Sequence, residues 1–126
     1  MNPRYLDVSM NFEARRYRKN TRTTVWPDIV ATLKIIDPYS DKRKVLTIQG
    51  RVNDLGGSGM FLLTDESVPV PAKADITIDF DSGKSPGLVL TARGETVRRT
   101  SRGVGLRFTA IDMAGLQRCI LARMNR

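Results

Sequence analysis

The sequence predicts a mainly β fold, a small six-stranded antiparallel barrel with a C-terminal α-helix, and three observations carry that prediction. Apolar and polar residues alternate strictly in stretches such as Ala74-Asp75-Ile76-Thr77-Ile78-Asp79-Phe80, where Ile76, Ile78 and Phe80 face one way and Asp75, Thr77 and Asp79 the other, the pattern of a half-buried strand. Six strand-like runs follow one another at short spacing, joined by turn-forming residues, and closing such a sheet removes its exposed edges. After Asp112 the apolar period lengthens: Met113, Leu116, Ile120 and Met124 fall on one helical face that Leu121 widens, with Asp112 as a suitable N-cap.

Taken in order, residues 1–14 scatter Tyr5, Leu6, Val8, Met10 and Phe12 without a clean period and read as a lead-in, flexible or briefly helical. Residues 15–22 hold five arginines or lysines and nothing apolar enough for a core, so they read as a basic arm. Trp26-Pro27-Asp28 breaks the chain, and Ile29 to Ile36 is the first strand, with Ile29, Ala31, Leu33 and Ile35 inward. A turn over 37–42 leads to a second strand from Val45 to Val52, broken by Gly50, so the two form an antiparallel hairpin. Asn53 and Asp54 look like the end of that strand. Three glycines in the four residues Gly56 to Gly59 then require unusual backbone or close approach, and Met60 to Leu63 is a short third strand. Thr64 to Lys73 contains Pro69 and Pro71 and reads as a connection, followed by the alternating fourth strand already described. Asp81 to Gly87 is a loop. Leu88 to Arg99 is a long strand bent at Gly94, and Thr100 to Gly103 turns it back onto Val104 to Phe108. The helix occupies about 113–124, against the barrel or across one of its openings. The chain is thus a lead-in over 1–14 and one domain over 15–126.

Composition narrows the chemistry. The 126 residues are 40% hydrophobic and 27% charged, which suits one globular domain. A net charge of +8 and a pI near 10.3 favour anionic partners such as nucleotides, nucleic acid or an anionic lipid surface. There is no histidine, which excludes histidine general bases, Ser-His-Asp triads and histidine metal sites. Cys119 is the only cysteine, so there is neither an internal disulfide nor a cysteine zinc cluster, and its apolar helical setting predicts a buried thiol. Asp79 and Asp81 read as a solvated strand end. No apolar run approaches the roughly 18 residues of a membrane span, and no signal-peptide apolar region opens the chain. These features predict a cytoplasmic, non-enzymatic binding protein without membrane insertion, metal or cofactor.

Two stretches can recognise an anion together. Arg18 and Arg22 are four apart and share a side in a helix or in an extended segment, presenting two planar guanidinium forks that suit a ligand with two phosphates and can also stack on a base. Arg15, Arg16 and Lys19 add general attraction. Asp54 is the only acid in the glycine stretch, and a carboxylate accepts two hydrogen bonds from the N–H and amino group on the Watson–Crick edge of guanine. Gly56, Gly57 and Gly59 allow backbone N–H groups to approach a purine or phosphate.

The order of these motifs resembles the PilZ domain family. Arg18-Lys19-Asn20-Thr21-Arg22 matches its RxxxR signature, and Asp54-Leu55-Gly56-Gly57-Ser58-Gly59 is similar to its [D/N]xSxxG signature, with Gly56 in place of the serine and Ser58 two positions later. Val104 to Phe108, Ile111-Asp112 and the helix are similar to the family's last strand and C-terminal helix. The resemblance implies a six-stranded barrel that binds cyclic di-GMP. It assigns Arg18 and Arg22 to phosphate and guanine stacking, Asp54 and Gly59 to the base edge, and leaves Gly56, Ser58, Arg15, Arg16 and Tyr17 as further nucleotide contacts. It also implies a protein partner in motility, pilus or exopolysaccharide control. Two alternatives stand beside it. One is a PilZ-like protein-interaction adaptor without nucleotide binding, for which Gly56 is the best support. The other is a small-barrel nucleic-acid binder, less favoured because 6% aromatic residues leave few stacking platforms and because a GxxG loop of the KH type joins helices.

Overall fold

The computed structural model describes residues 28–81 and 88–125, together with the backbone of Arg22 and Thr23. Seven strands and one helix follow in order: β1 Arg22–Thr23, β2 Val30–Ile36, β3 Val45–Gly56, β4 Gly59–Leu63, β5 Ala72–Asp79, β6 Val89–Arg99, β7 Gly103–Ile111 and α1 Met113–Met124. The lead-in over 1–14, the arm up to residue 21 and the loop over 82–87 lie outside the described residues.

Strands β2 to β7 close on themselves in the order β3-β2-β5-β6-β7-β4, with β4 returning to β3, and every pairing is antiparallel. The expected six-stranded barrel with one C-terminal helix is therefore the observed fold. Strand β1 is an addition on the free side of the last turn of β3.

Alternation explains the interior. In β5 the pattern from Ala72 to Ile78 is buried at every second residue, and Ile76 pairs with Leu33 of β2 and Ala92 of β6, while Leu33 also meets Ile48 of β3. These in-register aliphatic rows fill the barrel. Close packing also demands glycine. At Gly50 a methyl group would overlap the carbonyl oxygen of Leu63, so only a bare Cα lets β3 bend past β4.

One buried polar group organises the connection before β5. Thr96, with no exposed surface, donates from Oγ1 to the Pro69 carbonyl at 2.8 Å and accepts from the Ala72 amide at 2.8 Å. A buried hydroxyl satisfied in both directions costs little and fixes the chain that meets it. Strand β5 accordingly starts at Ala72, within what reads in the sequence as a connection up to Lys73.

The helix begins as expected. Asp112 accepts from the Gly115 amide at 3.0 Å, an N-cap, and the helical range agrees with the sequence reading. Its buried face differs in part. Leu116 and Cys119 belong to the core and Gly115 packs beside Leu90, whereas Met113, Leu121 and Met124 are 47%, 56% and 60% exposed. Leu116, Ile120 and the expected buried thiol of Cys119 hold this face, and Gly115, which leaves no mark in an apolar stripe, lets it approach the barrel closely. Burial pushes the Cys119 thiol above its ordinary value.

Arg123 anchors the far end of α1. Its guanidinium donates to Asp28 Oδ2 and to the Phe80 carbonyl, each at 2.9 Å, and lies 4.0 Å from the carboxylate of Asp81. Asp81 is 1% exposed. The expectation of a solvated Asp79 and Asp81 is therefore corrected for Asp81, which is buried beside an arginine 42 residues further along the chain.

Candidate functional site

The glycine stretch is a turn between two strands, and its geometry starts with a bulge. Strand β3 does not end at Val52, as Asn53-Asp54 suggested, but runs on to Gly56 with a register shift between Val52 and Asp54. The extra residue resets the alternation, so that Val52 and Leu55 are both buried and Asp54 stands on the outer face opposite Phe61. Without the bulge, either Leu55 or Val52 would face solvent.

The outer face then carries two parallel rows of residues across the strands. In the first, Asp54 of β3 pairs with Phe61 of β4, Phe61 with Gly105 of β7, and Gly105 with Arg98 of β6. Phe61 lies outside the core cluster although only 8% of it is exposed. The Arg98 guanidinium crosses Gly105, where a Cβ would come within 3.1 Å of its Nε, and reaches 5.6 Å from the Phe61 ring centre. A cation over an aromatic face is attracted by the ring quadrupole. The row therefore presents a half-buried carboxylate, a ring and a guanidinium.

In the second row, Arg22 pairs with Gly56 across β1 and β3. Leu55 pairs with Met60, which makes Gly56 and Gly59 the next positions of the ladder, and Gly59 pairs with Arg107 of β7. Arg107 in turn pairs with Glu95 of β6 in register and by a salt bridge. At Gly59 a methyl would overlap the Leu106 carbonyl oxygen, so the close approach of β4 to β7 requires glycine there.

The turn between these strands is held from outside itself. The Ser58 carbonyl accepts from the Phe108 amide at 2.9 Å, while Met113 of α1 rests on Gly57, its Cε 2.8 Å from where a Cβ would stand. Ser58 is exposed at the tip.

Of the residues singled out in the sequence, the structure brings Asp54, Gly56, Ser58 and Gly59 together on the β3–β4 turn and sets the backbone of Arg22 against Gly56. Arg15, Arg16, Tyr17 and Arg18 lie outside the described residues. Sequence reasoning missed Phe61, Arg98 and Arg107. A signal for Phe61 was present: in Met60-Phe61-Leu62, alternation sends the middle residue outward, where an aromatic ring needs a cover. Among the described residues, no group of three or more His, Cys, Asp or Glu side chains is placed to hold a metal ion, and no helix is long and apolar enough to cross a membrane.

The turn thus carries Gly56 buried, Gly57 and Gly59 half-buried and Ser58 exposed at its tip, flanked by guanidinium carriers and a carboxylate. The PilZ domain matches residues 15–122, and the chain belongs to the PilZ domain family. A comparison with curated proteins returned no match.

Proposed function

We propose that this PilZ-domain protein is a cyclic di-GMP receptor or adaptor of the cytoplasm, in which the nucleotide orders the arginine-rich arm over the barrel and alters an interaction with a protein of motility, pilus or exopolysaccharide control. The observation that carries the reading is the backbone pairing of Arg22 with Gly56, which joins the end of RxxxR to the loop signature. In this reading Arg18 and Arg22 hold phosphate oxygens bidentately and stack on guanine, while Asp54 accepts from the guanine Watson–Crick edge and Gly59 offers backbone. Ordering an arm on ligand contacts shifts an existing equilibrium by the differential affinity of the two states, which suits a switch. The domain acts as a binding module, without catalysis.

Gly56 tunes the affinity. The hydroxyl of the family serine is absent, and a hydrogen bond to a charged partner is worth on the order of 1.5–3 kcal/mol, or about tenfold to a hundredfold in affinity. The same substitution supports the second reading, an adaptor that meets its protein partner without nucleotide. A nucleic-acid role draws less support, because Gly56-Gly57-Ser58-Gly59 joins two strands and the KH loop joins two helices.

Calorimetry with cyclic di-GMP separates the readings. Saturable heat with wild type that falls by about a hundredfold in affinity in Arg22→Ala and in Asp54→Ala is expected of the receptor. Partner binding that survives both substitutions, with no heat from the nucleotide, is the result of the adaptor.

A further inference from the structure

We infer that Arg107 is a further nucleotide-binding residue, held in reserve by Glu95 on the far side of the glycine turn from Arg22. This rests on the receptor reading above and goes beyond its two signatures.

The ladder supplies the geometry. Arg22, Gly56, Gly59 and Arg107 occupy successive positions of one row across β1, β3, β4 and β7. Strands stand about 4.8 Å apart, so three steps set the two arginine backbones about 14 Å from one another. Between them are two glycines, Gly56 buried and Gly59 half-buried, so no side chain rises between the two arginine positions. A planar purine or a phosphate there meets a guanidinium carrier at each border, which neither motif describes because Arg107 lies 48 residues after Gly59.

Glu95 explains how such a cation is kept without ligand. Its carboxylate pairs with Arg107 in the open, where the two side chains are 30% and 58% exposed. Exposed ion pairs contribute little to stability and exchange readily with a competing anion. Lys73 pairs with Glu95 on the opposite side, in register across β5 and β6. When a phosphate takes Arg107, Glu95 keeps a cationic neighbour, so the handover strands no charge. Glu95 thus competes with the nucleotide for one arginine, and it sets the affinity by doing so.

The test is a cyclic di-GMP titration of the full chain by calorimetry, with circular dichroism confirming that each variant is folded. Arg107→Ala is expected to weaken binding by about tenfold or more, the loss of a charge-assisted contact. Glu95→Gln removes the competitor and is expected to tighten binding by about threefold to tenfold. Arg118→Ala makes the same change in net charge from an exposed position on α1 and is expected to stay within about twofold of wild type. If wild type binds but Arg107→Ala stays within twofold, or loses no more than Arg118→Ala, the inference is overturned and the receptor reading stands. A Glu95→Gln variant weakened like Arg107→Ala would show a structural pair and overturn it as well. No binding by wild type overturns both.

Discussion

Strand β3 ends in two turns of opposite construction. At its start, the hairpin over 37–44 is built mostly from its own side chains: Asp37 accepts from the Tyr39 amide at 2.9 Å, Ser40 Oγ accepts from the Lys42 amide at 3.3 Å, and Arg43 adopts φ 50°, with one outside tie from the Tyr39 hydroxyl, which donates to the Pro71 carbonyl at 3.0 Å. Its flanks leave Ile36 and Val45 more than half exposed. At the other end, the turn over 56–59 contributes almost no side chains and is held by β7, β1 and α1 instead. A self-made turn tolerates change. A turn made by its neighbours depends on them.

The largest effect that would break this comparison is expected from Gly59→Ala. A methyl there collides with backbone of β7, which cannot swing aside as a side chain does, and the loss should reach about 2–3 kcal/mol in a urea unfolding curve. Next is Arg123→Ala, which removes the hydrogen bonds that tie α1 to Asp28 and Phe80 and takes the guanidinium from beside buried Asp81. Because Asp28 is partly exposed and its share is screened, a loss of about 2 kcal/mol is expected, measured by thermal or urea unfolding. The smallest is Arg43→Gly in the self-made hairpin. Glycine adopts positive φ without steric cost but gives up more chain entropy, so the gain should stay under about 1 kcal/mol. If Gly59→Ala proved as mild as Arg43→Gly, the difference between the two turns would vanish.

Much of this was legible in the sequence, for reasons that also show where legibility stops. Strand β5 alternates because one face is core and the other solvent, and α1 announces itself through Asp112 and a helical period. Those signals are local. The bulge at Asn53 is not, since polar Asn53-Asp54 looks like a turn until the need to bury both Val52 and Leu55 is known. Asp81 appeared solvated because its partner Arg123 is distant in sequence. The same holds for the site. Asp54, Gly56 and Gly59 are contiguous enough to be read as a motif, whereas Arg98 and Arg107 reach the turn only through the barrel's closure by β4 and β7. The inner face of α1 was legible in part: Leu116, Ile120 and the buried Cys119 lie as the sequence suggests, while Met113 and Met124 are exposed and Gly115, selected by close approach, leaves no mark in an apolar stripe.

In the proposed receptor, the arm and the glycine turn form one nucleotide site at one end of β3. An NMR titration of the full chain with cyclic di-GMP tests it most directly. The amides of Arg22, Gly56, Gly57 and Gly59 are expected to shift together with a single midpoint, while those of Asp37 to Lys44 stay in place. Nucleotide at millimolar concentration that leaves the turn unmoved, or that shifts the opposite hairpin instead, would contradict it.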